Sequence, residues 1–269
     1  MKTMPIHSRR PRAGFTLVEL LTVIAIIAIL AAMLLPVLSA ARTHAQRVKA
    51  HLEAVDIATA IEKYDSDYGR FPVSSAVQAA AGTNDFTYGW VFNTPTASFQ
   101  VETYNGSGTI LSNAEVIGIL MDVTNYANGQ PVLANMNHQK NPQRTIFLNA
   151  KGSGYDPAVP GPAEAGVDVT GVYRDPWGNP YVISLDLGYD ESCRDSFYCL
   201  KNVSQDNGQT GFNGLVNPDP GGTTDKFLYH GKVMVWSAGP DGKIDTTAVS
   251  PGRGSANSGV NKDNVVSWQ

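Results

Sequence analysis

The order of apolar and polar residues divides the chain into an N-terminal helical part and a mixed C-terminal part. Residues 15–38 are almost entirely apolar and contain one ionisable side chain, Glu19. About 20 apolar residues are enough to cross the hydrocarbon core of a bilayer, so the run predicts a transmembrane helix. The next stretch, 39–67, lacks glycine and proline, and its apolar residues recur at helical spacing: Val48, Leu52, Val55, Ala58 and Ile61. The pattern predicts one helix from about residue 15 to 67, amphipathic in its second half.

Two proline signals modify this helix. Pro36 lies inside it and predicts a kink or local melting, because proline removes a backbone hydrogen bond and clashes with the preceding turn. The stretch 64–72 ends it, since Gly69 suits the position just after a helix and Pro72 prevents continuation.

The remaining residues show weaker patterns. Within 73–170 the sequence favours short helices near 76–81 and 113–125, a strand at 145–148 and a Gly/Pro-rich loop at 151–166, as in a long insertion. Clearer strands follow at 182–185 and 232–237. Few strands with helices to one side predict an α+β fold, in which the long helix packs on a small antiparallel sheet.

Charge limits the possible partners. The chain has 20 Lys+Arg and 24 Asp+Glu, and four of the basic residues (Lys2, Arg9, Arg10 and Arg12) precede the apolar run. Without them, 16 basic residues face 24 acidic ones, a net charge of −8. An acidic head argues against nucleic-acid binding. The basic leader predicts a cytoplasmic N-terminus and a periplasmic or extracellular head, although Arg42, Arg47 and Lys49 partly oppose this orientation.

Two ordinary explanations of the N-terminal segment remain open. A secretory signal peptide would be cut near 38–41, but the apolar run exceeds the usual limit of about 15 residues for such a peptide. A plain membrane anchor fits the length. Neither accounts for Glu19, because an acidic residue near a helix centre costs about 2.5–3.5 kcal/mol on insertion scales, and less near an end.

The residues Gly14-Phe15-Thr16-Leu17-Val18-Glu19 resemble the type IV prepilin signal. The resemblance implies that a membrane peptidase cuts between Gly14 and Phe15 and methylates the new N-terminal Phe15. It also implies that Glu19 guides the subunit into a helical filament. Pro36 is similar in position to a pilin proline around which the helix loosens when subunits pack.

Three further stretches are similar to the major pseudopilins of type II secretion: the helix end at 64–72, the turn at 175–181 and the loop at 236–243. The insertion at 73–170 departs from that branch. The resemblance implies calcium binding by the C-terminal loop, with Asp241, Asp245, Asp263 and Asn264 as ligands. Asp241 matches the family's Gly-x-Asp-Gly. Asn264 replaces one carboxylate of an acidic pair, and Asp245 is included for its proximity alone. The alternative is that these residues only form turns.

Cys193 and Cys199 predict a local disulfide bond in an oxidising compartment. A metal or redox pair is the alternative, although the C-x-x-C spacing is absent. No enzymatic constellation is evident, since the histidines are scattered and Ser153 lacks the G-x-S-x-G pattern. We therefore expect a protein that is not an enzyme.

The expected organisation is a leader (1–14), an assembly helix (15–41), its amphipathic continuation (42–72) and a globular head (73–269), in which 171–269 carries the sheet and the C-terminal loop. The expected function is that of a pseudopilin-like filament subunit. Its expected partners are other pseudopilin subunits, the prepilin peptidase and an inner-membrane secretion platform, with the head in the periplasm. The alternatives are a pilin-like surface protein that binds ligands through the insertion and, third, a membrane-anchored enzyme.

Overall fold

The computed structural model describes residues 15–89, 112–219, 221, 225–250 and 252–269, and the backbone alone at 92–93 and 98–99. The chain forms two compact units, Met1–Ala45 and Gln46–Gln269.

The first element is the long helix α1, Leu17–Tyr68, which has 52 residues and confirms the predicted single helix. It stops because Gly69 takes a left-handed conformation (φ 64°) and donates its amide to the Asp65 carbonyl at 2.7 Å. The helix continues through Pro36, so the local melting that proline predicts is not seen in this structure.

The head contains a four-stranded antiparallel sheet in the order β1, β6, β9, β10. Its strands are β1 (Phe86–Tyr88), β6 (Val182–Leu185), β9 (Val233–Ser237) and β10 (Val265–Val266). In the central pair, Val182 lies opposite Trp236 and Leu185 opposite Val233. The predicted α+β fold with a small antiparallel sheet is confirmed, and the strands expected at 182–185 and 232–237 are its two central strands.

Shorter elements surround this sheet. The helices are α2 (Ser75–Ala81), α3 (Ala114–Leu120) and α4 (Lys201–Ser204), with 3-10 segments at Leu133–His138, Phe212–Gly214 and Gly259–Asp263. The paired short strands are β2 (Phe92–Asn93) with β3 (Ser98–Phe99), β4 (Gly166–Val167) with β5 (Tyr173–Arg174), and β7 (Gln205–Asn207) with β8 (Thr210–Gly211).

The part of α1 that belongs to the second unit packs on the sheet, but not through the predicted stripe. Its buried side chains are Ala50, Ala54, Ile57, Ala60, Ile61, Tyr64 and Asp65. Val48 and Leu52 are exposed instead. The helical period of the prediction was right and its phase was partly wrong. Small alanines line the contact, because they let the helix approach the sheet closely.

The segment expected to be an insertion contributes to the main core. It supplies β1 to the sheet edge, and α3 adds Val116, Ile117, Ile119 and Leu120 to the same cluster as Ile57 and Ile183. The strand predicted at 145–148 is wrong: no strand is assigned there, although Phe147 donates its amide to the Leu120 carbonyl at 2.8 Å. Val265–Val266, which had no recognisable strand signal, forms the opposite edge of the sheet.

Candidate functional site

The N-terminal site begins at the first helical turn. The Thr16 amide and hydroxyl both donate to Glu19 Oε2, at 2.8 and 2.7 Å, and the Glu19 amide donates back to the Thr16 hydroxyl at 3.2 Å. This reciprocal pairing is a capping box, which satisfies backbone donors that a helix start leaves free. The Thr-x-x-Glu spacing is visible in the sequence and gives Glu19 a local role in addition to the expected role in assembly.

The apolar run has the character of a membrane segment. The large apolar side chains from Phe15 to Leu38 are all exposed in the isolated chain. Among the described residues, α1 is the one helix long and apolar enough to cross a membrane. Gly14 lies outside the described residues, and Phe15 begins them.

In the head, the two motifs at 175–181 and 236–243 are brought together. Asp175 Oδ1 accepts the amides of Trp177 and Asn179, both at 2.8 Å, which closes the first turn. Asp175 Oδ2 accepts the Ser237 hydroxyl, and Asn179 Nδ2 donates to the Gly239 carbonyl at 2.7 Å. The Asp175 turn therefore fixes the start of the C-terminal loop.

Asp175 is fully buried, and burial raises the pKa of its carboxyl to about 6 despite the hydrogen bonds from Ser237, Asn179 and Trp177, which lower the pKa. The joint between the two motifs thus contains a carboxyl group whose charged form is disfavoured by desolvation. Its role is to hold the loop in place through hydrogen bonds.

The C-terminal loop brings part of the predicted calcium set together. A side chain at Gly239 would lie 2.3 Å from the Asp263 carbonyl, so glycine makes this close approach possible. Burial, and next the charge of Asp241, raise the pKa of Asp263. Asp263 Oδ1 and Asn264 Oδ1 are buried and accept no hydrogen bond from the described residues. Such orphaned oxygen atoms are uncommon and need a partner.

Asp245 joins the loop differently. Its carboxylate accepts the Thr247 amide at 2.8 Å, as in a turn, and its main-chain carbonyl accepts Asn261 Nδ2 at 2.6 Å. Asp241 Oδ1 likewise accepts the Lys243 amide at 2.9 Å. Within the described part of the chain, no group of three or more His, Cys, Asp or Glu side chains is placed to share a metal ion.

The chain end is tied to the head by β10. His51 Nδ1 lies 2.9 Å from the Val266 carbonyl, and the Ser267 amide donates to the Val235 carbonyl at 2.9 Å. Trp268 packs edge-on against Tyr198, with ring centroids 5.3 Å apart. The residues that follow Asp263 and Asn264 are therefore anchored on both sides of the sheet edge.

Comparison with known proteins agrees with the N-terminal part of this geometry. The family described as the prokaryotic N-terminal methylation motif matches residues 9–35. The type II secretion system core protein G of Aeromonas hydrophila is 30% identical over 102 residues, which is 38% of this chain and 64% of that protein. The match thus spans just under two thirds of the relative's length. No solved structure matches the chain significantly.

With its long N-terminal helix and antiparallel sheet, the chain is similar to type IV pilins and pseudopilins. Two other predictions about this pilin-like protein concern side chains in its head. Cys193 and Cys199 are both buried and are free thiols in the structure, so the disulfide bond is not shown and stays a prediction. Burial raises the pKa of the Cys199 thiol to about 12, and it also raises the pKa of Cys193.

Aromatic residues cluster at 86–99, within the 73–170 segment through which the alternative surface protein would bind its ligand. Phe86 and Tyr88 are buried in the main core, with ring centroids 4.9 Å apart. The side chains of Trp90, Phe92 and Phe99 lie outside the described residues. The described aromatic residues of this group therefore serve packing.

Proposed function

We propose that this chain is a structural subunit of a type II secretion or type IV pilus-like filament. In this proposal the prepilin peptidase cuts between Gly14 and Phe15 and methylates Phe15, and the N-terminal helix polymerises with other pseudopilin subunits on an inner-membrane platform. The subunit before assembly is anchored in the inner membrane with its head in the periplasm. The observation that carries the proposal is the methylation motif at 9–35, which directly precedes and overlaps the apolar helix.

Mass spectrometry of the membrane-extracted protein tests the processing step. We expect a mature chain that begins at an N-methylated Phe15. A mature terminus at Ala41 or Arg42 would show instead that the apolar run is an ordinary signal peptide.

Glu19 separates assembly from helix capping. In a filament its carboxylate would lie among apolar helices and need a cationic partner, for which we propose the amine of Phe15 on a neighbouring subunit. Glu19→Gln removes the charge but keeps the capping box, which accepts Glu or Gln at this position. Thr16→Ala keeps the charge but removes the cap, at a cost of about 1 kcal/mol.

We expect Glu19→Gln to insert into the membrane and to form no filaments, as judged by electron microscopy of sheared fibres. Thr16→Ala should form them. If Glu19→Gln assembles normally and Thr16→Ala does not, the carboxylate serves the helix start and the assembly role is wrong.

We further propose that the C-terminal loop binds calcium through Asp241, Asp263 and Asn264, with main-chain carbonyls completing the six to eight oxygen ligands that Ca²⁺ prefers. Support comes from the two orphaned oxygens, Asp263 Oδ1 and Asn264 Oδ1, and from the proximity of Asp241 to Asp263. A bound cation would remove the repulsion between the two carboxylates and would give the two oxygens a partner. The carboxylate of Asp245 already holds a turn, so its contribution stays a prediction.

Thermal unfolding of the full chain, with calcium added after chelator treatment, tests this site. Binding to the folded state alone stabilises by about 2.7 kcal/mol at a hundredfold excess over Kd. We expect calcium to raise the Tm of the wild type and of Asp156→Asn. The latter controls for the loss of one carboxylate outside the loop, because Asp156 accepts the amide two residues on at 2.9 Å, as Asp241 does. Asp263→Asn should abolish the rise, and an equal rise in all three proteins would contradict the site.

A further inference from the structure

A cleft lies at the junction where α1 ends and the head begins. It has a volume of about 610 Å³, and its lining includes Arg70, Phe71, Val73, Lys140 and Tyr189. Gly69, Arg70 and Phe71 of this lining belong to the 64–72 stretch, a motif to which the filament function assigns no chemistry.

Three side chains of this stretch hold the opposite wall in place. The Tyr64 hydroxyl and Arg70 Nη2 both donate to the Lys140 carbonyl, at 2.5 and 3.2 Å. The Tyr68 hydroxyl donates to Asn141 Oδ1 at 2.8 Å. These contacts fix the backbone of Lys140 beside Arg70, so the two cationic residues share a preformed cleft.

No carboxylate balances this pair in the described part of the chain, since no Asp or Glu oxygen there lies within 4.0 Å of a nitrogen of Arg70 or Lys140. Arg70 Nε is buried and has no hydrogen-bond partner among the same residues. Burial, and next the charge of Arg70, lower the pKa of Lys140.

The charge of Glu115 raises the pKa of Lys140, but the Glu115 carboxylate already accepts hydrogen bonds from other groups. Its Oε1 atom accepts the Ser74 amide at 2.7 Å and the Tyr88 hydroxyl at 2.8 Å. Two neighbouring cations without a counter-charge repel each other, and an anion placed between them would remove that repulsion.

We propose that this cleft binds a carboxylate ligand that carries an apolar body. Arg70 Nη2 already donates to the Lys140 carbonyl and Nε is buried, so the remaining N–H groups of Arg70 would donate to the carboxylate, and the lysine adds a second charged donor. The apolar body would lie against Phe71, Val73 and Tyr189, where the rings of Phe71 and Tyr189 are 5.4 Å apart. This binding activity is additional to filament assembly and does not depend on it.

The test uses the full chain in nanodiscs of zwitterionic lipid, in a chloride buffer, so that no other anion competes. Sodium benzoate is the probe, because it joins a carboxylate to an apolar ring, and sodium phosphate is titrated separately. The readout is the side-chain NMR signal of Lys140, together with its pKa, which a bound anion should raise. We expect saturation by benzoate in the millimolar range, about 4 kcal/mol of binding free energy.

Lys140→Gln removes one charged contact and should weaken benzoate binding at least about tenfold, followed then through the Arg70 signal. Arg70→Gln should do the same, and Lys140→Gln carries the test if Arg70→Gln does not fold. Lys151→Gln is the matched control. Lys151 is exposed, and its substitution changes the net charge by the same amount as Lys140→Gln does. Its affinity should equal that of the wild type.

Three results would overturn the proposal. The first is a wild type that shows no saturable response up to about 100 mM benzoate. The second is equal affinity in Lys140→Gln and Lys151→Gln. The third is saturation by phosphate with no response to benzoate, which would exclude a carboxylate as the ligand.

Discussion

At the scale of single residues, two buried aspartates organise the head. Asp195 Oδ2 accepts the Ser184 hydroxyl at 2.7 Å and Trp236 Nε1 at 3.0 Å, and its Oδ1 atom accepts the amides of Phe197 and Tyr198. Asp175 joins the turn at 175–181 to Ser237 in the same way. Each carboxyl group accepts several hydrogen bonds from segments that are distant in sequence, and these hydrogen bonds are why it is tolerated in the core.

The pKa of Asp175 leads to a pH prediction. Because burial raises it to about 6, against about 3.9 in the unfolded chain, the folded state holds this proton more tightly. The resulting stabilisation is complete below about pH 4 and is lost as the pH rises through about 6. A difference of one pKa unit between the folded and unfolded states corresponds to about 1.4 kcal/mol. The free energy of unfolding therefore falls by at most about 3 kcal/mol over this pH range.

Asp175→Asn should remove this dependence, because a neutral amide does not ionise. Urea unfolding from pH 4 to 8 should show the variant gaining stability relative to the wild type as the pH rises. Asp156→Asn should run parallel to the wild type. A constant difference between Asp175→Asn and the wild type across this range would show that the Asp175 carboxyl does not titrate there.

At this scale, the features that the sequence predicts are those formed by residues close to one another in the chain. The turn at 175–181 and the capping residue Gly69 are set by neighbouring residues, and the pattern is readable. The capping box of Thr16 and Glu19 is equally local, since its Thr-x-x-Glu spacing lies within one helical turn. The role of Asp195 was not readable, because its partners Ser184 and Trp236 come together only when two strands pair.

At the scale of elements, α1 shows that hydrophobic periodicity predicts a buried helix face but not which residues form that face. A 3.6-residue period predicts that one face is buried, but several phases fit a helix that contains both alanine and larger apolar residues. The structure buries Ala50 and Ala54 and exposes Leu52. The phase depends on the shape of the sheet that receives the helix, and the two central strands of that sheet lie more than 100 residues further along the chain.

This choice of buried face predicts that substitutions at two neighbouring positions change the stability by very different amounts. Ala54 has no exposed surface, so Ala54→Leu should overpack the contact and destabilise the head by about 1–3 kcal/mol. Leu52 is 57% exposed, and Leu52→Ala should change the free energy of unfolding by less than about 0.5 kcal/mol. Urea unfolding of both variants measures this. A large loss in Leu52→Ala with none in Ala54→Leu would mean that the helix packs through the originally predicted stripe.

The segment from Cys193 to Cys199 carries the disulfide prediction. The Cys193 main chain exchanges two hydrogen bonds with Tyr229, both 2.9 Å long, and the Cys199 carbonyl accepts the Phe227 amide at 3.1 Å. Both cysteines therefore lie beside the same neighbouring segment, 227–229. Because burial raises the pKa of both thiols, they would react slowly with alkylating reagents even when reduced.

The disulfide is therefore best measured after denaturation without reductant. We expect neither cysteine to take up iodoacetamide in protein isolated from an oxidising compartment, and both to do so once a reductant is added. Alkylation of both cysteines before reduction would show that they are free thiols, as they are in this structure. A bond across so short a loop should add only modest stability, because it restricts few unfolded conformations.

At the scale of the whole molecule, composition and pattern were enough for the fold class and for the split between an apolar N-terminal segment and a head. They were not enough for the sheet order. The edge strands β1 and β10 have three and two residues, too few to show a period. The 73–170 segment looked like an insertion because it lacks long periodic elements, yet its β1 and α3 complete the main core.

Both core clusters consist of residues beyond Ala45, and the first buried residue of α1 is Ala50. A fragment that begins at Gln46 should therefore fold without the preceding segment. We expect it to unfold in one cooperative transition by calorimetry, within a few degrees of the head transition of the full chain, since its core is intact. A fragment that begins at Glu62 loses the buried residues Ala54, Ile57 and Ile61. Truncation of one buried isoleucine to alanine already costs about 2–5 kcal/mol. It should not fold. If the Gln46 fragment also lacks a cooperative transition, the head depends on residues 1–45, and the division into two units does not describe its stability.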